Sequence, residues 1–236
     1  MSDEFRIIVN FDDAVGNDVQ TTFADITGIN SELEHGMRKL LAHFPSLKRP
    51  KIYMVAGLEQ NVVVTDSTLS LSADKYMGAD YPLYKDCFYD YERIGMMRER
   101  IVPDYLLGFM TANFPFQGND AMLLDRMLYA GKLRYILSQL IPNRPKWDYV
   151  GYIQYQYEWC EKHEAEIWQL IDQNQYLLKP DAYNTDEFFR SFRCTSPLSD
   201  SSPDRVGVWL GYRLVDAYMK NHKQTTWQEL INKTEL

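Results

Sequence analysis

The chain has no run of apolar residues near the roughly 20 that a membrane-spanning helix needs. It has three cysteines, Cys87, Cys160 and Cys194, an odd and widely spaced set that excludes a disulfide framework and a metal knuckle. It has four histidines, His35, His43, His163 and His222, and no His-Glu-x-x-His, the spacing that sets two imidazoles a turn apart beside a carboxylate base. His163-Glu164-Ala165-Glu166-Ile167 comes nearest, but Ile167 stands at the second ligand position and one imidazole cannot hold zinc alone. No basic stripe stands out, so nucleic acid is not an expected partner. There is no internal repeat and no low-complexity linker, and no neighbouring His and Asp turn Cys160 into a nucleophile.

What is present is enough to fold. The 236 residues are 45% hydrophobic and 14% aromatic, which suffices for one large core or two small ones. Seventeen tyrosines and five tryptophans bring large apolar bodies with polar tips. The net charge is -8. Phe5 to Phe11 alternates weakly and predicts a short strand. A helix is predicted from Asn30-Ser31-Glu32-Leu33 to near Pro45, with Leu33, Met37, Leu40, Leu41 and Phe44 at helical spacing. Lys51 to Ala56 and Val62-Val63-Val64 predict strands. Thr65-Asp66-Ser67 then turns into Thr68-Leu69-Ser70-Leu71-Ser72, whose alternation predicts one buried and one wet face. Asp74 to Leu83 is irregular. Helices follow, stopped at Pro115, Pro142-Asn143-Arg144-Pro145, Pro180 and Ser196-Pro197, and Thr195 to Pro203 predicts an exposed loop. A small sheet followed by helices is an α+β arrangement.

Several residues invite a structural and a functional reading. Pro103 suits the first turn of a helix, where its missing N–H costs nothing. Gly131 lies inside an apolar helix and Gly207 and Gly211 fall four apart on another, a pattern of close helix approach before it is one of a ligand groove. Ser202 is read as an N-cap with Pro203 at the first helical position and Asp204 at the positive end, opening a helix that is apolar almost all round until Arg213. On a continuous helix, Tyr157, Cys160, Glu164, Ile167, Trp168 and Ile171 share one face. Glu164 is therefore expected to be buried with a basic partner, Lys132, Arg134 or Arg205. Either the pair locks helices together or Glu164 is a cleft carboxylate. Cys160 on that face reads as a small core residue.

Three blocks carry a resemblance. They are Asp74-Lys75-Tyr76-Met77-Gly78-Ala79-Asp80-Tyr81-Pro82-Leu83-Tyr84, then Glu158-Trp159-Cys160 with Glu164 and Ile167-Trp168, then Ser202-Pro203-Asp204-Arg205-Val206-Gly207-Val208-Trp209-Leu210-Gly211-Tyr212-Arg213. Together they resemble the gliding-motility lipoprotein GldB family, over a stretch from about Phe44 to Glu229. The first block is similar to the family's Asp-x-Tyr-x-Gly-x-Asp-x-Pro-x-Tyr. The resemblance implies a zincin-like architecture that has lost its metal. In zinc-binding relatives a Glu-Gly-x-x-Glu-Tyr helix supplies the third ligand. Here it looks like Tyr129-Ala130-Gly131-Lys132-Leu133-Arg134-Tyr135, with Ala130 at the ligand position, and the preceding helix, Val102-Pro103-Asp104-Tyr105-Leu106-Leu107, has no histidine. Family members also carry a lipoprotein signal ending in an acylated cysteine. Met1-Ser2-Asp3-Glu4 has none, so either the N-terminus was trimmed or this member departs from the pattern.

The expectation from these readings is one mostly helical α+β domain over residues 1–236, zincin-like in architecture. It is expected to be a non-catalytic bacterial cell-envelope protein, a pseudoenzyme related to gliding motility. It would be periplasmic or outer-membrane-anchored through a lipid on the full-length form, and act on a protein or glycan partner without metal or cofactor. The candidate cleft or binding residues are Asp74, Tyr76, Asp80, Tyr81, Tyr84, Lys132, Glu164 and Arg205. The strand at Leu69 is expected at a sheet edge, beside the tyrosines, as an acceptor for an extended partner segment. The alternative is an envelope hydrolase, directed at peptides or peptidoglycan, with a divergent site around Glu164.

Overall fold

A computed structural model of the chain describes residues 6–7, 14–57, 60–177, 179–191, 198–199 and 201–233. Their contacts fall into two compact units. Unit 1 is Met1–Asn113 with Leu140–Pro142, and unit 2 is Phe114–Gln139 with Asn143–Leu236.

Unit 1 holds the sheet. Its elements are β1 (Arg6–Ile7), α1 (Ala14–Thr22), α2 (Thr27–His43), β2 (Lys51–Val55), β3 (Val62–Val64), β4 (Thr68–Ser72), α3 (Pro82–Cys87), α4 (Asp90–Arg93) and α5 (Ile101–Asn113). The strand order is β1-β2-β4-β3, with β2 parallel to β4 and β3 antiparallel to it. The β3–β4 turn is closed where the Thr65 amide donates to the Thr68 carbonyl at 2.9 Å. In β4, Leu69 and Leu71 are buried, as the alternation predicts. The edge expectation for this strand is corrected, since β4 lies between β2 and β3 and its backbone is paired on both sides. A parallel partner five residues long is not visible in local alternation, so the sequence pattern could not rank edge against centre. Helix α5 crosses β3 and β4 and packs on α2. Pro103 falls in its first turn, and Gly108 lets it sit close on Val62.

Two boundaries differ from expectation. Helix α2 starts at Thr27, three residues before Asn30, and buries Leu33, Met37 and Leu40 as its spacing predicts. Of the predicted strand from Phe5 to Phe11, Arg6–Ile7 is strand and the rest lies outside the described residues.

Unit 2 is helical among its described residues. It contains α6 (Leu123–Leu140, whose last residue counts with unit 1), α7 (Lys146–Val150), α8 (Gln154–Lys162), α9 (Glu164–Gln173), α10 (Ala182–Glu187), α11 (Val206–Asn221) and α12 (Trp227–Asn232). Every residue of α11 from Val206 to Tyr212 is buried. The helix does not begin at Pro203, as the capping pattern at Ser202 predicts. Arg205 has φ of 53°, a left-handed backbone that cannot belong to a first helical turn. The Ser202 hydroxyl instead donates to the Pro203 carbonyl at 3.0 Å.

Helices α6 and α11 meet at two glycines. A Cβ on Gly211 would lie 1.9 Å from the Met127 carbonyl oxygen, and one on Gly131 would lie 2.1 Å from the Gly211 oxygen. Gly207 is filled by the Phe189 ring and the Phe188 carbonyl, so the small residues of α11 are packing positions. Cys160 is fully buried in α8, as expected of a small core residue.

Candidate functional site

The tyrosine-rich segment of unit 1 is tied into its own fold. The Tyr76 hydroxyl donates to Asp104 Oδ2 at 2.8 Å, and Arg100 holds the other oxygen of Asp104 at 2.9 Å. Tyr84 donates to the Asp74 carbonyl and accepts from the Met77 amide at 3.1 Å. The Asp74 carboxylate accepts from the Gly57 amide at 2.9 Å and from the Ser72 hydroxyl. Tyr81 donates to Asp18 at 2.8 Å and meets Tyr84 edge to face. Gly78, at φ of 105°, makes the turn and donates to the Met96 carbonyl at 2.9 Å. Tyr76 and Tyr84 are 1% and 4% exposed, so neither presents a contact surface. Two of the tyrosines named as binding candidates, Tyr76 and Tyr84, are thus part of the packing of unit 1. Asp80 is exposed beside it. Burial raises the Tyr76 phenol above its ordinary range, with the Asp104 charge adding to it, and pushes Tyr84 up to about 12.

In unit 2 the three other candidates go to separate places. Lys132 donates to the Lys233 carbonyl and pins the end of α12. Burial lowers its pKa, and the Asp125 charge opposes that. Arg205 donates to the Gly151 carbonyl at 3.0 Å, while Tyr152 donates to the Asp204 carbonyl at 2.6 Å. Those bonds tie the α7–α8 turn to the start of α11. Arg134 donates to the Tyr149 carbonyl at 3.1 Å.

Glu164 pairs with none of them. Its partner is Arg213, at 3.0 Å, and the pair is not buried: the side chains of Arg213 and Glu164 are 38% and 32% exposed. The expected face itself is there: Tyr157 and Cys160 of α8 and Ile167 and Ile171 of α9 are buried on either side of His163, whose amide donates to the Trp159 carbonyl at 3.1 Å and whose carbonyl accepts from the Ile167 amide at 3.0 Å. Glu164 is a member of that face whose side chain stays in contact with solvent, because it reaches Arg213 on α11. The His163 ring stacks on Trp159 at 4.1 Å between centroids. Glu164 lands in the first turn of α9, where the helix dipole favours an acid. A solvated pair contributes about 1 kcal/mol or less. Glu164→Gln is therefore expected to melt within about 2–4 °C of the parent, since 1 kcal/mol moves Tm by that much at this size. A larger loss in a thermal melt would restore the buried reading.

A different set of residues surrounds a cavity of about 570 Å³ in unit 2: Phe116, Asp120, Arg126, Tyr129, Ala130, Ala182, Asp186 and Phe189. This size lies within the range of ligand sites. Helix α6 supplies the floor. The turn before it is held by the Asn119 amide donating to Asp125 at 2.9 Å and the Ala121 amide donating to Asn119 Oδ1 at 3.0 Å. The Ala121 carbonyl accepts from the Asp181 amide at 2.8 Å and the Thr185 hydroxyl at 3.0 Å, which fixes α10 against that turn. Asp181 caps α10 through the Asn184 amide, and bonds from Asn184 hold its carboxyl below the usual range.

On one wall Arg126 pairs with Asp186 and lies over the Phe189 ring at 4.4 Å. On another, the Phe116 and Tyr129 rings meet at 5.2 Å, and Tyr129 donates to the Phe114 carbonyl at 3.0 Å. Ala130 faces this cavity with only a methyl group. The arrangement offers aromatic faces, two carboxylates and one guanidinium. Among the described residues, no three His, Cys, Asp or Glu side chains gather as a metal-holding group. None of the residues named as binding candidates from the sequence lines this cavity. Ala130 was the one signal, noted for what it lacks. The other lining residues lie on separate segments and match no spacing rule.

Comparison with known proteins gives one match. The model of the gliding motility protein GldB family matches residues 4–236, nearly the whole chain and more than the stretch that the sequence blocks cover. No curated protein matches, and no solved structure matches. Among the described residues, no helix is long and apolar enough to cross a membrane.

Proposed function

This chain belongs to the gliding motility protein GldB family, and on that premise we propose that it is a non-catalytic protein that holds a protein or glycan partner in the cavity at Ala130. Family membership suggests a gliding-motility-related envelope protein. Periplasmic or outer-membrane placement through a lipid anchor belongs to the same proposal. So does a zincin-like ancestry in which the lost ligand position became part of a binding surface. The family match runs through both compact units, which supports treating them as one functional domain.

One observation carries the reading: a ligand-sized cavity opens where the family resemblance sets a ligand glutamate, and this chain has Ala130 there. The rings of Phe116, Tyr129 and Phe189 supply rigid contact area, and the Arg126–Asp186 pair supplies direction. The hydrolase alternative draws no support from the surroundings of Glu164, which is half-exposed and paired with Arg213.

The test fills the cavity. Ala130→Trp in the full-length protein should fail to restore gliding to a strain lacking the gene. The variant should accumulate normally and melt like the parent. Glu164→Gln should restore gliding. Normal gliding with Ala130→Trp would overturn the proposal.

A further inference from the structure

The cavity in unit 2 shows how it treats a cation. Arg126 belongs to the chain itself, yet its guanidinium is held as a bound ligand would be, over the face of Phe189 at 4.4 Å and against the Asp186 carboxylate. Both forces are general ones: the negative face of the ring attracts a cation, and a carboxylate accepts its N–H donors. The rest of the lining has the same two ingredients without the cation. Phe116 and Tyr129 present a tilted ring pair, and Asp120 is an exposed carboxylate with no partner among the described residues. The lining carries two carboxylates and one guanidinium, a net charge of about minus one, on a chain of net charge -8.

We infer that the cavity receives a cationic side chain of a partner peptide, a guanidinium or an ammonium, between the Phe116–Tyr129 rings and Asp120. This rests on the cavity being the contact site proposed above. The specificity argument is electrostatic. An anionic group would meet Asp120 and a guanidinium already neutralised by Asp186. A neutral sugar could stack on the rings but would leave Asp120 without a counter-charge. A lysine or arginine satisfies both at once, and Ala130 leaves it room.

The experiment titrates the full chain with three probes, followed by NMR shifts of the cavity residues. The probes are acetyl-Gly-Arg-Gly-amide, the same peptide with neutral citrulline for arginine, and chitotetraose. The arginine peptide is expected to bind. Both the citrulline exchange and Asp120→Asn should weaken binding about two- to fivefold, as loss of one solvated charge pair does. Asp120 is exposed, so Asp120→Asn should melt as the parent does. Equal binding of the two peptides, undiminished binding by Asp120→Asn, or no response to the arginine peptide would overturn the inference. Chitotetraose binding that is lost in Ala130→Trp, with the arginine peptide silent, would overturn the cation and leave the contact site standing. Normal gliding by Ala130→Trp would remove the contact site itself.

Discussion

Gly211→Ala is expected to cost unit 2 about 3 kcal/mol or more, although alanine is the better helix former. Propensity alone favours the change by about 1 kcal/mol in a helix interior. The steric term opposes it and is larger. The added methyl would lie 1.9 Å from the Met127 oxygen and 2.7 Å from the Met127 carbonyl carbon. Those are backbone atoms inside α6, so no rotamer change relieves the overlap, and α6 and α11 must move apart along their crossing. Overpacking usually costs about 1–3 kcal/mol where side chains can yield, and more where they cannot. The separation would also open gaps around Leu210 and Val215, both fully buried. In a thermal melt, a net loss of about 3 kcal/mol is a shift of about 6–12 °C at this chain length. Gly28→Ala is the control. Nothing lies within 4 Å of a Cβ there, so the same substitution should stabilise α2 slightly. Gly211→Ala melting at or above the parent temperature would show that the helices do not approach as closely as their glycines allow.

That crossing was legible in the sequence because its signal is local: glycine inside an apolar helix has few other uses. The strands β2, β3 and β4 and the helix over Leu33 to Leu40 were legible for the same reason, being written in short-range periodicity. What failed needed information beyond one turn of chain. Glu164 falls on a face whose members Tyr157, Cys160, Ile167 and Ile171 are buried, yet its own carboxylate reaches Arg213, a partner some 50 residues away, and stays 32% exposed. Ser202 was a sound cap by type, but Arg205 takes the left-handed conformation and delays the helix to Val206. Tyr76 and Tyr84 looked like contact residues because tyrosine serves interfaces and interiors alike; their hydrogen bonds to Asp104 and to the Asp74 carbonyl decide for the interior. The cavity was the least visible. Phe116, Asp120 and Arg126 meet Asp186 and Phe189 from across some 60 residues of chain, through the bonds that Ala121 makes to α10. Only Ala130, read as an absence, pointed there.

The buried phenols lead to the second large effect, unfolding in alkali. Burial raises the pKa of Tyr76, Tyr105 and Tyr152 above the ordinary value of 10.0. Each hydroxyl is also a committed donor: Tyr76 to Asp104, Tyr105 to the Tyr53 carbonyl and Tyr152 to the Asp204 carbonyl. Ionisation removes the donor as well as adding a buried charge. The sign follows from proton counting. The folded state keeps these protons at pH values where the unfolded chain has released them, so the unfolded state binds fewer protons and stability falls as pH rises. The contribution is intact below pH 10 and is lost progressively above it, up through the raised native values. Tyr84 and Tyr157, each pushed to about 12 by burial, act in the same direction but are shifted less and count for less. Lys132 acts oppositely: burial lowers its pKa, so its penalty is relieved as pH rises towards 10.5, before most of the tyrosine effect sets in. Once the unfolded tyrosines are ionised, three retained protons give a slope of about 4 kcal/mol per pH unit. Against a typical total of about 5–15 kcal/mol, that slope should unfold the protein between about pH 11 and 14. Unit 1 holds Tyr76 and Tyr105 and unit 2 holds Tyr152, so neither unit is spared. A pH titration reading tyrosinate absorbance and far-ultraviolet circular dichroism together should show a late, steep block of tyrosines ionising as the helical signal collapses. If every phenol titrates smoothly around pH 10 with the helices intact, these side chains are not buried as described.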